Sequence, residues 1–314
     1  MNNQLVFKLG TRGSPLALWQ AERVKSLLLQ AQPELHIEIV IIHTTGDKIL
    51  DKPLIQVGGK GIFTKEIENA MLAGEIDFAV HSFKDLPTVL PEGLAIVAIP
   101  ERSEPMDAIL SRGGTTLATL PPNPTIATGS LRRRAQVRIA RPDSTVVDIR
   151  GNVNTRLRKF YESPWDALIM AHAGLVRMEW QDRIGGVLPL EEMIPAPAQG
   201  ALAIEARKDD TRTQTLLSSI HDPQAAQGVW AERAFLATLE GGCQVPMGAF
   251  AQLSEQTITL HGFVSNLDGS IYFRESLQGP HTDPSTLGIQ LAQHILARGG
   301  QAIIEDLKSN TQTR

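Results

Sequence analysis

At 314 residues the chain is too long for one ordinary core and suits two or three domains. Hydrophobic residues make up 42% and charged residues 20%, a folded composition, and a single cysteine, Cys243, excludes an internal disulfide and a multi-thiolate metal site. The net charge of -4 argues against a general nucleic-acid binder, and no apolar run reaches the ~18 residues of a membrane span.

The distribution of charge says more than its total. Between Ser130 and Lys159 lie nine basic residues, Arg132, Arg133, Arg134, Arg138, Arg141, Arg150, Arg156, Arg158 and Lys159, opposed only by Asp143 and Asp148. That segment carries +7 and leaves -11 for the rest, so an anionic partner is expected to be met here and repelled elsewhere. The eight histidines show no metal-ligand spacing. Met1–Gly10 lacks a basic stretch followed by an apolar one, and a cytosolic, metal-free protein is expected.

In chain order, Leu5–Leu9 reads as a strand, and Ser14 as the N-cap of a helix with Pro15 at its first position. Ala17, Ala21, Val24 and Leu28 recur on one face of that helix. Ile37–Ile42 predicts a strand buried on both sides of a parallel sheet. Thr44–Gly61, rich in glycine and charge, suits a mobile loop or lid. A helix follows from Thr64 to Ala73, and Phe78–His81 is the next buried strand, which makes a βαβ plan.

After Pro100–Pro105 the alternation starts again. Thr125–Thr128 predicts a strand, Ser130 a second N-cap and Leu131–Ala140 its helix, with further strands at Val146–Ile149 and Ala167–Met170. Thr11-Arg12-Gly13-Ser14 and Ala127-Thr128-Gly129-Ser130 occupy equivalent strand-to-helix turns, so two α/β domains of similar plan are expected. Ala201–Glu205 returns the chain to the first of them. A long helix, Pro223–Leu239, then leads to Gly241, Gly242 and Cys243. Strands at Ala249–Leu253, Thr257–Phe263 and Ile271–Ser276 and a helix near Leu287–Arg298 predict a small α+β domain. The expected division is 1–100 with 200–218, 105–195, and 222–314.

Ser130 at a helix start, with Arg132 and Arg133 in the first turn, makes an anion site, and a solvated basic helix face is the alternative. Arg150-Gly151-Asn152 after a strand, with Arg156 one turn later, adds arginine where α/β sheets bind ligands. Arg138 and Arg141 are expected on outer surfaces. Asp85, just beyond the Phe78–Ser82 run, stands where a carboxylate can bind N–H groups or move protons, or else simply forms an Asp-Leu-Pro turn. Cys243 is an exposed loop thiol or a small buried apolar residue.

Longer blocks decide between these alternatives. Thr11 to Gln20, Val57 to Glu66, His81-Ser82-Phe83-Lys84-Asp85-Leu86-Pro87, Gly129-Ser130-Leu131-Arg132-Arg133-Arg134-Ala135-Gln136, Arg150 to Leu157 and Leu239-Glu240-Gly241-Gly242-Cys243-Gln244-Val245-Pro246 occur in the order found in one family. The chain resembles the porphobilinogen deaminase (hydroxymethylbilane synthase) family over nearly its whole length. The resemblance implies two domains like periplasmic binding proteins plus a third that carries the cofactor cysteine. It implies a transferase that condenses four porphobilinogen molecules with loss of ammonia, giving linear hydroxymethylbilane. It also implies a dipyrromethane cofactor joined by a thioether to Cys243. Asp85 matches the aspartate that assists loss of the amino group and stabilises the cationic azafulvene-type intermediate. Arg12, Ser14, Lys60, Ser82, Lys84, Ser130, Arg132, Arg133, Arg150, Arg156, Arg177 and Gln199 match cofactor- or substrate-binding positions. A monomer without nucleic-acid or membrane partners is expected.

Four positions depart from the family pattern. Gln56 stands where many relatives have lysine, Gly129 where serine is common, and Pro197-Ala198 replace the usual Val-Gly. A solute-binding module and an acyl-cysteine transferase are competing readings. The first needs no exposed cysteine, and only the favoured activity releases ammonia from porphobilinogen.

Overall fold

In a computed structural model of the chain, residues 6–48, 61, 63–239 and 245–312 are described. The chain packs as two units, Met1–Ser103 with Ala201–Ala226, and Glu104–Gly200 with Gln227–Arg314.

The first unit is built on strands β1 (Val6–Thr11), β2 (His36–Ile41), β3 (Phe78–Ser82), β4 (Leu94–Ala98) and, from later in the chain, β10 (Leu202–Arg207). They form one sheet in the order β2-β1-β3-β10-β4, with β1 parallel to β2 and β3, and β10 antiparallel to both its neighbours. Helix α1 (Pro15–Ala31) covers one face with Ala21, Val24 and Leu28, against Phe7, Leu9, Phe78 and Val80. After a helical turn, α2 (Thr45–Lys48), helix α3 (Lys65–Leu72) covers the other face with Ile67, Ala70 and Met71, against Ala79. Strand alternation sorts the two cores.

The Ile37–Ile42 expectation holds in part. β2 lies at the sheet edge: Ile37 and Ile39 pack on the α1 face and Val40 and Ile42 on the α3 face, while Glu38 is exposed and Ile41 half-exposed, so both faces are covered in part. Of the Thr44–Gly61 segment, the leading end is anchored: Thr44 is buried, and the Thr45 backbone N–H and hydroxyl both donate to Glu66. Residues 49–60 lie outside the described residues.

The second unit repeats the plan. Strands β5 (Asp107–Ser111), β6 (Thr125–Ala127), β7 (Thr145–Val147), β8 (Ala167–Ala171) and β9 (Gly186–Val187) pair in the order β7-β6-β8-β5-β9. β6 is parallel to β7 and β8, and β5 is antiparallel to β8 and β9, strand for strand the arrangement of the first sheet. Helix α4 (Leu131–Ala140) puts Val137 against Ile126 and Ile169 on one face. Helices α5 (Val153–Glu162) and α6 (His172–Arg177) put Leu157, Phe160 and Leu175 against Ala127 and Leu168 on the other.

After α7 (Thr211–Ser218), which packs on the first sheet, comes the long helix α8 (Pro223–Thr238). A three-stranded antiparallel meander follows: β11 (Met247–Leu253), β12 (Thr257–Ser265) and β13 (Tyr272–Pro280). Its core joins Phe235 of α8 to helices α9 (Pro284–Ile295) and α10 (Gln301–Gln312). The fold is thus two α/β domains of one plan and a small C-terminal α+β domain. No helix among the described residues is long and apolar enough to cross a membrane.

Candidate active site

In an open α/β sheet, ligands bind beyond the carboxyl ends of the strands, where successive connections leave a strand pair in opposite directions. In the first unit that point falls between β1 and β3, since the chain runs from β1 outward to β2 and returns to β3 on the other side. A pocket enclosing about 500 Å³ of open and covered space lies there, lined among others by Arg12, Ser14, Ser82, Asp85, His81 and Phe63.

Each of these residues is set by local structure. Ser14 caps α1, its hydroxyl accepting from the Ala17 N–H at 3.3 Å, so its own hydrogen remains available to an incoming anion. The Ser82 hydroxyl accepts from Gln20 Nε2 at 2.7 Å and is oriented in the same way. The Arg12 guanidinium lies over the Phe63 ring, 4.2 Å from its centre, a cation–π contact that restrains its fork. Asp85 ends the 3-10 turn Phe83–Asp85 that follows β3, anchored by buried Phe83, and its carboxylate is exposed. Lys84 shares that turn. An acceptor carboxylate, an arginine and two hydroxyl donors therefore meet at one strand-end pocket.

In the second unit the remaining positions fall into two groups. Ser130 caps α4, accepting from the Arg133 N–H, while Arg150 lies in the turn between β7 and α5 and Arg156 in the first turns of α5. Arg150 Nε bonds Asp148 at 2.8 Å and Arg156 Nε bonds the Gly151 carbonyl at 2.7 Å. The other group is buried around Asp107, which is fully enclosed. Arg132 Nη1 reaches Asp107 at 2.7 Å and the Ile194 carbonyl at 2.7 Å. Arg133 reaches Asp107 through Nε at 3.1 Å and Nη2 at 2.8 Å, and Gln199 Nε2 reaches it at 2.8 Å. Arg177, also buried, donates to the Gly200 carbonyl at 2.6 Å.

Burial alone would raise the Asp107 carboxyl, but the two guanidinium charges and their hydrogen bonds overrule it and hold it well below the usual carboxylate range. Burial lowers the Arg177 guanidinium to about 10. Two cations on one buried anion leave an excess positive charge, a built-in preference for an anionic ligand. Arg133 is engaged through all three of its nitrogens. Arg132 Nη2, by contrast, has no acceptor among the described residues. Sequence reasoning missed Asp107, because one aspartate at the head of the Ala108–Leu110 run gives no signal of the arginines it will meet.

The Arg141 expectation fails. Its side chain is only 13% exposed and it donates to the Leu117, Leu120 and Pro121 carbonyls as well as to Asp143, tying down the 117–121 loop. Arg138 contacts the Leu267 carbonyl. Lys60 and Cys243 lie outside the described residues.

Residues 7–215 match the family described as porphobilinogen deaminase, dipyromethane cofactor binding domain, and residues 226–297 match porphobilinogen deaminase, C-terminal domain. The porphobilinogen deaminase of Geobacter sulfurreducens is 50% identical over 307 residues, 98% of this chain and 96% of that one. That of Syntrophobacter fumaroxidans is 48% identical over 302 residues, 96% and 98% of the two chains. The chain belongs to the porphobilinogen deaminase family.

Among solved structures, the methionine-binding protein MetQ aligns at TM-score 0.43 and 12% identity, over 74% of this chain and 94% of that one. As a porphobilinogen deaminase, the chain is a transferase that joins four porphobilinogen molecules with release of ammonia to give linear hydroxymethylbilane, primed by a covalent dipyrromethane cofactor. The residues present fit that group. Each pyrrole ring has an N–H to donate and two carboxylates to be bound, and the pocket pairs an exposed carboxylate, Asp85, with a guanidinium and serine hydroxyls.

Proposed function

We propose that the pocket at the ends of β1 and β3 is where the bond-making chemistry of this deaminase takes place, with Asp85 at its centre. The carrying observation is that Asp85 presents an exposed carboxylate in the same pocket as Arg12, Ser14 and Ser82. A carboxylate held there accepts a pyrrole N–H and stabilises positive charge as the amino group departs. Arg12, Lys84, Ser14 and Ser82 bind the acetate and propionate groups. Ser130, Arg150, Arg156, Lys60 and the outward edge of Arg132 do the same for further rings. Arg133, Arg177 and Gln199 act mainly by fixing the backbone and the charge beneath them. Cys243, in the domain spanning 222–314, anchors the cofactor by a thioether, and the cofactor when bound supplies the nucleophilic pyrrole end that primes the chain. The enzyme works in the cytoplasm as a monomer.

Asp85→Asn tests this reading. It preserves size and the turn, and it is expected to retain fold and cofactor while losing turnover by several kcal/mol of barrier, on the order of a hundredfold or more. Near-normal ammonia release by the variant would refute the role.

A further inference from the structure

Behind the pocket, on the α3 face of the first sheet, three titratable side chains are buried together. His81 is 7%, Glu68 6% and Glu205 0% exposed. His81 on β3 pairs with Ala203 on β10, so Glu205 is its diagonal neighbour across the sheet, and His81 Nε2 lies 3.0 Å from Glu205 Oε2. Glu68 reaches the same place from α3. Among the described residues, neither Glu205 oxygen nor Glu68 Oε1 receives a well-directed hydrogen bond. Such oxygens are costly in an interior otherwise made of Ile67, Met71 and Ala79. Packing alone would have favoured apolar residues there.

Burial, and then the charge of Glu205, raise the Glu68 carboxyl, against the opposing pull of the Thr64 hydroxyl and of His81. Two buried carboxyl groups side by side disfavour double ionisation, which favours a retained proton on Glu68. The neighbouring charged groups are accounted for. Glu66 turns away to Thr45, and Arg207, on the same side of β10, is held by Asp77 and Asp210. Arg12 and Asp85 face the group from the pocket, and His81 and Thr64 line that pocket themselves.

We propose that His81, Glu205 and Glu68 form the proton-holding site of this pocket, with His81 facing the reactants and the glutamates a shared reservoir behind it. The proposal rests on the pocket being the place of condensation. In each condensation the C–N bond of an aminomethyl group breaks and its electron pair leaves with nitrogen. The free α-carbon of the terminal ring already bound forms the C–C bond to that methylene carbon and loses its hydrogen as a proton, which the departing ammonia finally carries away as ammonium. No oxidant or reductant is required, but that proton needs a holder between carbon and solvent. Three basic side chains packed together behind the pocket offer that place.

Carboxyl-labelled glutamate NMR and pH–rate profiles test the proposal together. The wild-type protein is expected to show one glutamate titrating well above the ordinary value of about 4.3, and Glu68→Gln is expected to remove that resonance. Glu68→Gln and Glu205→Gln, checked for folding by thermal melting, are expected to displace one limb of the kcat profile by about one pH unit or more, with Glu205→Asp restoring part of it. If Glu205→Gln fails to fold, Glu68→Gln and the wild-type titration carry the test. Absence of a high-titrating glutamate, or a kcat lowered equally at every pH, would overturn the proposal. Asp85→Asn in the same assay separates the two readings: retained turnover there refutes the pocket assignment, whereas the carboxyl titration does not depend on it.

Discussion

Asp107 is the residue on which the second unit's arginines turn. Its carboxylate receives Arg132, Arg133 and Gln199 in full burial, so removing the charge strands two guanidinium groups without a counter-ion. Breaking a buried pair from one side costs about 3–5 kcal/mol, and Asp107→Asn is expected to lose stability on that scale in urea denaturation. A loss below about 1 kcal/mol, the range of a surface pair, would contradict it. The sign with pH follows from the depressed carboxyl. Its contribution is complete above the unfolded value of about 3.9 and is lost as pH falls toward the lower folded value. The wild-type advantage over Asp107→Asn should therefore shrink below about pH 4. Glu68 has the opposite sign: with its carboxyl raised, its stabilising contribution is present at low pH and is lost as pH rises through the folded value. Neither residue was legible in the sequence. Asp107 meets Gln199 from 92 positions away, and His81 meets Glu205 only because β3 pairs with β10.

At the scale of elements, one departure from the family pattern sits in a strand-to-helix turn and another in the connection before β10. A Cβ on Gly129 would lie 2.5 Å from the Ile149 carbonyl oxygen, so the turn bearing Ser130 and the turn bearing Arg150 abut through a glycine. Gly129→Ser must push them apart, and a loss of about 1–3 kcal/mol is expected for such overpacking, read by thermal melting. An unchanged melting temperature would show that the turns yield freely. Ala198 has φ 62, the left-handed region that glycine occupies without strain, and its N–H is held by buried Glu232 at 2.6 Å. Ala198→Gly is expected to add up to about 1 kcal/mol of stability by relieving that strain, and a destabilised variant would contradict this. Capped helices were the legible elements: Ser14-Pro15 and Ser130 mark true starts. Helix α5 was overlooked despite its Asn152 cap, because only Leu157 and Phe160 are buried and no apolar stripe stands out from its charges. Helix α9 starts at Pro284 behind an Asp283 cap, a signal passed over in favour of its apolar residues. Beyond the helix expected near Leu287–Arg298, φ 119 at Gly299 makes a kink after which α10 continues.

The whole molecule uses one α/β plan twice. Both sheets place a capped helix after the central parallel strand, and both close with an inserted antiparallel strand, β10 in one and β5 in the other. That repetition was visible in the two matching turns, and Ala201–Glu205 reads as the return to the first domain, where β10 pairs with β3, whereas the inserted strand β5 was not legible. The focused arginine segment is likewise consistent with a substrate that gains carboxylates as it grows. Priming by dipyrromethane is proposed to depend on a covalent bond to Cys243. Intact-mass measurement on active protein tests it most directly. The expected mass exceeds that of the sequence by one dipyrromethane group, stable to reductant and to mild hydroxylamine as a thioether is, and the addition is absent from an inactive Cys243→Ala variant. Full activity in protein of unmodified mass would contradict it.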